Sequence, residues 1–385
     1  VRTPRQASVG SMRIVLLGAT GYTGRLAAET MVRAGLAPTL AGRRHDDLVR
    51  LADRLAPLAP SPQTEPGIAV ADATDSASVR TLLHDGDDVL VSTVGPFMEL
   101  GTAAVAAAVD AGAGYLDSAG EPPFIRSIFQ EWGPRAEETG ARLIPAFGYD
   151  YVPGNLAGAI VCARARETGH TPTRVDVGYF VDGEFGLSSG TKASAAGVML
   201  SPSFGFRQGQ LLKGNPSGTR SFDVGRNRSW KAMPVAGSEH FGLPRVESDL
   251  TDVGVWLGWA GRWTPAAAVA GQVAGSLAAI PGIDSGVTAL RRRLAKTTGQ
   301  GPDSAARGRA RTLVVAEATD AVGRPLGTVC LTGPSPYDLT AELLAWGAVS
   351  LATKGVSPGA HGPVDAFGLD VVERGCADMG LIAIT

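Results

Sequence analysis

Seven residues, Gly18-Ala19-Thr20-Gly21-Tyr22-Thr23-Gly24, follow the apolar run Arg13-Ile14-Val15-Leu16-Leu17 and lead into a helical pattern. A strand that breaks on glycine and reopens as a helix is built to hold a dinucleotide pyrophosphate. The first glycine allows the tight turn, the second lets the backbone approach the phosphates, and the third lets helix and strand pack closely, with the helix N-terminus facing the charge. Gly18, Thr20, Gly21, Tyr22, Thr23 and Gly24 are therefore the first candidates for cofactor binding. The next apolar segment, Ala37–Gly42, ends on Arg43-Arg44. A carboxylate roughly 20 residues past the glycines is the usual partner of an unphosphorylated ribose. None stands at that strand end; the next acids are Asp46 and Asp47. A guanidinium there suits a 2′-phosphate, so Arg43 and Arg44 point to NADPH/NADP rather than NAD. Asp72, at the end of a third strand, and Thr93, Val94, Gly95 and Pro96, at the end of a fourth, fall where doubly wound folds bind ligands.

Groups able to move a proton gather further on. The run Gly148-Tyr149-Asp150-Tyr151-Val152-Pro153 follows a sixth strand and joins two parts of the chain, a place where small-molecule sites form. Tyr149 or Asp150 is expected to orient a substrate or relay a proton. A hinge with exposed tyrosines is the competing reading. Ser188-Ser189-Gly190-Thr191-Lys192 opens a further helical stretch; Ser189, Thr191 and Lys192 are candidates for holding an oxyanion or carboxylate. Glu121 also falls at a strand end. The five histidines, His45, His84, His170, His240 and His361, do not pair with cysteines or acids at metal-ligand spacing, so no metal is expected.

Alternating strand and helix patterns position these residues. Strands are expected at Arg13–Gly18, Pro38–Gly42, Gly67–Ala71, Asp88–Val94, Tyr115–Asp117 and Arg142–Phe147. Helices fall between them, among them Asp46–Ala56, Gly101–Ala111 and Phe124–Thr139. Apolar strands without alternation, separated by helices, imply a parallel sheet covered on both faces and right-handed crossovers. The fold class is α/β: a Rossmann-type doubly wound domain over residues 12–152, then an α+β substrate domain over 153–332. A C-terminal helical segment, 333–385, is expected to pack back on the first domain. Within the second domain, Arg174–Asp182 reads as a strand with one exposed face, Thr312–Asp320 and Arg324–Thr332 as a hairpin, and Gln300–Arg309 as a mobile surface loop. Residues 1–11 lack the apolar core of a signal peptide and read as a leader or remnant before Met12.

A formal charge of −2 provides no field for nucleic acid. Cys162, Cys330 and Cys376 form neither a disulfide framework nor a metal site, which fits a reducing, cytoplasmic setting. The most apolar stretch, Pro265–Pro281, carries Gln272 and Ser276 and falls short of the about 18 residues of a transmembrane span. The expected partner is a small-molecule or acyl substrate, with homo-oligomerisation left open.

The chain resembles the saccharopine dehydrogenase-like NADP-binding oxidoreductases, especially their trans-acting enoyl reductase branch. The shared elements are GATGYTG at Gly18–Gly24, AGR at Ala41–Arg43, TVGPF at Thr93–Phe97, AGAGYLDSAGE at Ala111–Glu121 and PAFGYDYVPG at Pro145–Gly154. PYDLTAELLA, near the end of Arg307–Ala352, fits more loosely. The resemblance implies NADPH and a reductase delivering hydride to an activated C=C or C=N bond. Small apolar residues and tryptophans in Val253–Pro281 suit an acyl chain and favour the enoyl reading. Arg207, Arg220, Arg226 and Arg228 would serve the carboxylates of a saccharopine-type imine. A module that senses NADPH without turnover is the third reading.

Overall fold

The computed structural model describes residues 13–84, 86–183, 186, 188, 203–214, 218–225, 228–258 and 301–384. Six short strands, β1 (Ile14–Leu17), β2 (Thr39–Gly42), β3 (Gly67–Val70), β4 (Val89–Ser92), β5 (Gly114–Asp117) and β6 (Arg142–Ile144), form a parallel sheet in the order β6-β5-β4-β1-β2-β3. Every residue of β1, β4 and β5 is buried, as continuous apolar strands covered on both faces must be. The order reverses between β1 and β4, so the carboxyl ends of those two strands flank the crevice where such sheets take ligands.

Helices α1 (Tyr22–Arg33), α2 (His45–Leu55), α3 (Ser76–Arg80), α4 (Phe97–Leu100), α5 (Thr102–Ala111), α6 (Pro122–Ser127) and α7 (Gly133–Thr139) connect and cover these strands. The single helix expected over Phe124–Thr139 is instead α6, a π-helical turn at Ile128–Trp132, and α7. The small-residue helix α8 (Val152–Glu167) leaves the first sheet and is buried over most of its length. It packs on a second, mixed sheet made of β7 (Arg174–Asp182), β8 (Phe204–Arg207), β9 (Gln210–Lys213), β10 (Arg220–Asp223), β11 (Ser229–Val235), β12 (Asp252–Leu257), β13 (Arg311–Thr319) and β14 (Pro325–Gly333). The main path runs β10-β11-β12-β7-β13-β14, with β12 and β7 parallel and the other neighbours antiparallel.

Three expectations need correcting. β7 is a central strand with six consecutive buried residues, not a strand with one exposed face, because β12 and β13 pair with its two edges and α8 packs on it. Within 300–309, described from Gly301, α10 (Ser304–Arg309) follows α9 (Glu239–Val246) and is tied down: Arg307 pairs with Asp338 at 2.6 Å. The C-terminal part is also not only helical. Its helices α11 (Pro336–Thr353), α12 (Pro363–Phe367) and α13 (Leu369–Asp378) are joined by β15 (Gly359–Ala360), which extends the first sheet beside β6, and β16 (Ile382–Ile384), which extends the second beside β14. α11 lies against α1, β4 and β5, so the chain does return to the first domain. One hydrophobic core runs through both sheets, from Val15 and Leu90 to Val177, Val314 and Leu343.

Candidate functional site

The glycine turn is shaped by close contacts. Gly18 has φ 84, and a Cβ there would fall 2.7 Å from Val94 and 2.9 Å from the Thr93 hydroxyl. Gly24, one turn into α1, has no room for a side chain: a Cβ would lie 2.2 Å from the Gly18 carbonyl oxygen. Gly21 caps α1 in an extended conformation and no side chain caps that helix end. The first-turn amides thus lack a side-chain acceptor, the condition under which a helix N-terminus receives an anion.

A cleft of about 210 Å³ opens over this turn at the carboxyl ends of β1, β2, β3 and β4. Gly18, Thr20 and Gly21 form its floor. Arg43 and Arg44 line it after β2, Asp72 after β3, and Thr93, Val94 and Gly95 after β4. The Thr93 hydroxyl donates to the carbonyls of Leu17 and Gly18, both at 3.2 Å, locking β4 to the turn. Tyr22, Thr23, Gly24 and Pro96 stand outside this lining. Gly24 acts by letting α1 approach the turn, and the peptide before Pro96 is cis.

The two arginines differ. Arg44 is held by Asp47, which also pairs with Arg50, and the two guanidiniums keep the Asp47 carboxyl below its usual range. Arg43 has no ion-pair partner among the described residues. Asp72 accepts from the Thr74 amide at 2.9 Å and hydroxyl at 2.8 Å, bonds that lower its carboxyl, with the Arg43 charge assisting.

Tyr22 turns away from the cleft. Its hydroxyl donates to the Pro302 carbonyl and accepts from Arg307 at 3.2 Å, and its ring meets Tyr337 edge-on with centroids 4.9 Å apart. The Tyr337 hydroxyl in turn accepts from the Ser188 amide at 2.7 Å. A chain of contacts therefore runs from the glycine turn through α11 to Ser188. Ser189, Thr191 and Lys192 themselves lie outside the described residues.

The backbone beyond β4 is held by an acid. Glu121, buried after β5, accepts from the amides of Phe97 at 2.8 Å and Met98 at 3.0 Å, so one carboxylate receives two N–H groups at the start of α4. Asp117, at the end of β5, accepts from Ala119 and Ala146; burial nonetheless pushes its carboxyl up to about 6. Ala146 is held at φ 57, a left-handed conformation rare outside glycine. It opens the segment that carries the proton-capable run.

That run is enclosed, so the reading of a hinge with exposed tyrosines is overturned: Tyr149 and Tyr151 are 2% and 6% exposed. The Tyr149 hydroxyl donates to the Phe180 carbonyl and that of Tyr151 to the Ala236 carbonyl, each at 3.0 Å. Asp150 stands between them. Its Oδ2 sits over Gly120, and burial pushes its carboxyl up to about 7. The second domain adds Tyr179 from β7 and Glu239 from the start of α9, bonded hydroxyl to carboxyl. Neither residue is among those the sequence singles out. Tyr179 sat in a strand read with one exposed face, and no motif or spacing in the sequence sets Glu239 apart from other acids.

The arginines weighed for substrate carboxylates are largely committed elsewhere. Arg220 pairs with Asp176 and Glu317, Arg228 with Asp182, and Arg207 donates to the Gly214 carbonyl; Arg226 lies outside the described residues. Of the stretch proposed to receive an acyl chain, residues 253–258 are described. There Trp256 is buried and donates to Asp176 at 2.9 Å. Among the described residues no His/Cys/Asp/Glu group could hold a metal and no helix is long and apolar enough to cross a membrane.

No family model matches the chain. A Mycobacterium tuberculosis protein named among the trans-acting enoyl reductases is 37% identical over 206 residues, covering 52% of this chain and 46% of that protein. A trans-acting enoyl reductase of Mycobacterium ulcerans is 35% identical over 158 residues, 40% of this chain and 37% of that one. A saccharopine dehydrogenase-like oxidoreductase of Bos taurus is 29% identical over 153 residues, 37% and 35%. The chain thus spans about half or less of the length of these curated relatives. Among solved structures, saccharopine dehydrogenase (L-Glu forming) from Saccharomyces cerevisiae aligns with a TM-score of 0.59 at 13% identity, covering 97% of this chain and 99% of that one. Homospermidine synthase from Legionella pneumophila, solved with NAD, aligns at 0.60 and 12% identity, covering 97% and 90%. The sequence resemblance is borne out: this chain is similar to trans-acting enoyl reductases and saccharopine dehydrogenase-like oxidoreductases, and it is built on the saccharopine dehydrogenase fold with its Rossmann-type domain.

Proposed function

We propose that the protein is an NADPH-dependent reductase acting on an activated C=C bond of a small or acyl substrate. The observation that carries the reading is the cleft at the strand-order reversal, with a glycine turn fitted to phosphate at its floor and, where an NAD-binding chain places an acid, an arginine with no ion-pair partner among the described residues. The residues fit the group. Gly18, Thr20 and Gly21 would take the pyrophosphate, Arg43 the 2′-phosphate, and Thr93 to Gly95 the nicotinamide side. Bound there, NADPH supplies a hydride. The chain's own part is to fix the β4 ledge through Glu121 and to hold a proton at Asp150. Adding hydride to a conjugated C=C leaves a carbanion or enolate that takes up a proton, and a carboxyl poised near neutral pH is suited to give it. Imine reduction of an amino-acid substrate is less well supported, because Arg220 and Arg228, two of the arginines weighed for it, are engaged in ion pairs of the second sheet. Ser189, Thr191 and Lys192 stay as proposed contacts to the substrate oxygen, and Tyr149 as a residue orienting the loop. The cytoplasm remains the proposed location and homo-oligomerisation a proposal.

The test is NADPH consumption with a panel of α,β-unsaturated acyl thioesters and a parallel panel of imines. The expected result is turnover of a thioester that Asp150→Asn slows by about 10²-fold, with NADPH affinity unchanged. Turnover of imines alone, or an unaffected Asp150→Asn variant, overturns the assignment.

A further inference from the structure

The Asp150 carboxyl is not an isolated acid. Tyr179 lies between the two rings that flank it, meeting Tyr149 edge-on at 5.7 Å between centroids and Tyr151 edge-on at 6.0 Å. The Tyr179 hydroxyl donates to the Tyr151 carbonyl at 3.1 Å and to Glu239 Oε1. Glu239 is fully buried, and its second oxygen, Oε2, has no hydrogen-bond partner among the described residues. Space for this arrangement comes from two glycines distant in sequence. A Cβ on Gly154 would fall 2.0 Å from the Tyr179 hydroxyl and 2.3 Å from Glu239 Oε1. One on Gly237 would fall 2.4 Å from Glu239 Oε2 and 2.6 Å from the Tyr151 ring. The chain has thus given up two side chains to seat a carboxyl and a phenol beside the Asp150 loop. Helix α8, strand β7 and helix α9 each supply one side of the enclosure.

We propose that Asp150, Tyr179 and Glu239 form one coupled acid site across the domain junction, in which Tyr179 is a positioning residue that braces both carboxyls and the charge on Asp150 governs when Glu239 holds its proton. Among the described residues no lysine or arginine side chain pairs with either carboxyl, and Arg207 acts on the neighbouring His240. Tyr151 and Tyr179 feel both Asp150 and Glu239, Tyr151 also feels Glu121, and the neighbouring His240 is pushed down to about 4 by burial and is neutral. Two carboxyls in such an enclosure cannot both ionise without mutual repulsion, and burial penalises each charge. Burial raises Glu239 to about 8, with the Asp150 charge adding to the effect. Tyr179 connects the pair mechanically as well, since the one hydroxyl that bonds Glu239 also braces the carbonyl next to Asp150. This inference rests on the reductase reading for its purpose, but not for its test.

The test is a double-mutant cycle on the intact chain without cofactor or substrate: wild type, Asp150→Asn, Glu239→Gln and the double variant, with melting temperature followed from pH 5 to 9. Glu239→Gln keeps the volume and an acceptor for Tyr179. The wild type is expected to lose melting temperature between pH 5 and 8. Each single variant should flatten that loss and melt about 2 °C or more above wild type at alkaline pH, relative to their difference at pH 5. Because either substitution removes the same repulsion, the gain in the double variant should be smaller than the sum of the single gains. Additive gains, or a Glu239→Gln profile that overlays the wild type, overturn the proposal. If Glu239→Gln does not fold, Tyr179→Phe serves in its place: loss of its donor raises Glu239 further and should steepen the loss of melting temperature, while an unchanged profile overturns the coupling. A failed search for reductase activity leaves this outcome untouched, so the two readings fail separately.

Discussion

At the scale of single residues, the two arginines after β2 make opposite predictions despite being neighbours. Arg44 is already paired with Asp47, whereas Arg43 faces Asp72 and the cleft with no ion-pair partner among the described residues. Arg43→Ala should weaken NADPH binding by about 1.5–3 kcal/mol, the worth of a hydrogen bond to a charged group less some solvent screening. Arg44→Ala should weaken it by under about 1 kcal/mol, and neither should alter NADH binding. Calorimetry finding equal losses for the two variants would reject the division of roles. The glycine turn was legible in the sequence because each glycine answers a local demand, such as the 2.2 Å approach between a Gly24 Cβ and the Gly18 carbonyl. Tyr179 and Glu239 were not, because they lie 60 positions apart and acquire meaning only where β7 and α9 bring them together.

At the scale of elements, the site depends on how strand-end backbone is anchored. Glu121 holds the first amides of α4 and thereby the ledge at Thr93 to Gly95. Glu121→Ala leaves the buried Phe97 N–H and the partly buried Met98 N–H without their acceptor, which should cost on the order of 2 kcal/mol of stability; Glu121→Gln, retaining one acceptor oxygen, should lose less. Denaturant titration of the two variants checks the ranking, and equal losses would show that the ledge is held by other contacts. A second anchor joins elements far apart in sequence: Tyr22 on α1, Tyr337 on α11 and the Ser188 amide. Tyr337→Phe keeps the ring against Tyr22 but removes the hydroxyl that accepts from the Ser188 amide. Turnover should fall several-fold while NADPH affinity holds, and a loss of affinity as large as the loss of turnover would place Tyr337 in cofactor binding instead. The parallel sheet was readable because its strands are short uninterrupted apolar runs. The burial of β7 was not, since its sequence Arg174–Asp182 alternates in part and only pairing with both β12 and β13 reveals a central strand. Likewise β15 and β16 are too short to carry a period of their own, and tertiary pairing alone makes them strands.

At the scale of the whole molecule, one core links the two sheets, and several carboxyls lie inside or beside it. Unfolding should therefore be a single cooperative transition, and NADPH at about one hundred times its Kd should raise stability by about 2.7 kcal/mol across that whole transition. Two resolved calorimetric transitions, one of them indifferent to NADPH, would separate the domains. The enclosed acids set the response to pH, and its sign follows from their direction. Burial raises Asp117 to about 6, Asp150 to about 7 and Glu239 to about 8, each above its ordinary value near 4. Between its ordinary and its raised value, each group keeps a proton in the folded chain that it gives up on unfolding. The folded state then binds more protons, so stability falls as pH rises, by at most about 1.4 kcal/mol per unit for each such group. His361, raised by its bond to Asp365, adds to the same trend, because the stability of that charged pair is lost as the imidazole deprotonates; His240, pushed down to about 4 by burial, opposes it below about pH 6.5, one group against three acids. The melting temperature should accordingly be higher at pH 5 than at pH 8, the reverse of a protein whose acids are mostly ion-paired. Scanning calorimetry across that interval reads the slope directly. A melting temperature that climbs with pH would mean that the carboxyls at the junction are ionised in the folded chain, and that Asp150 has no proton to give at neutral pH.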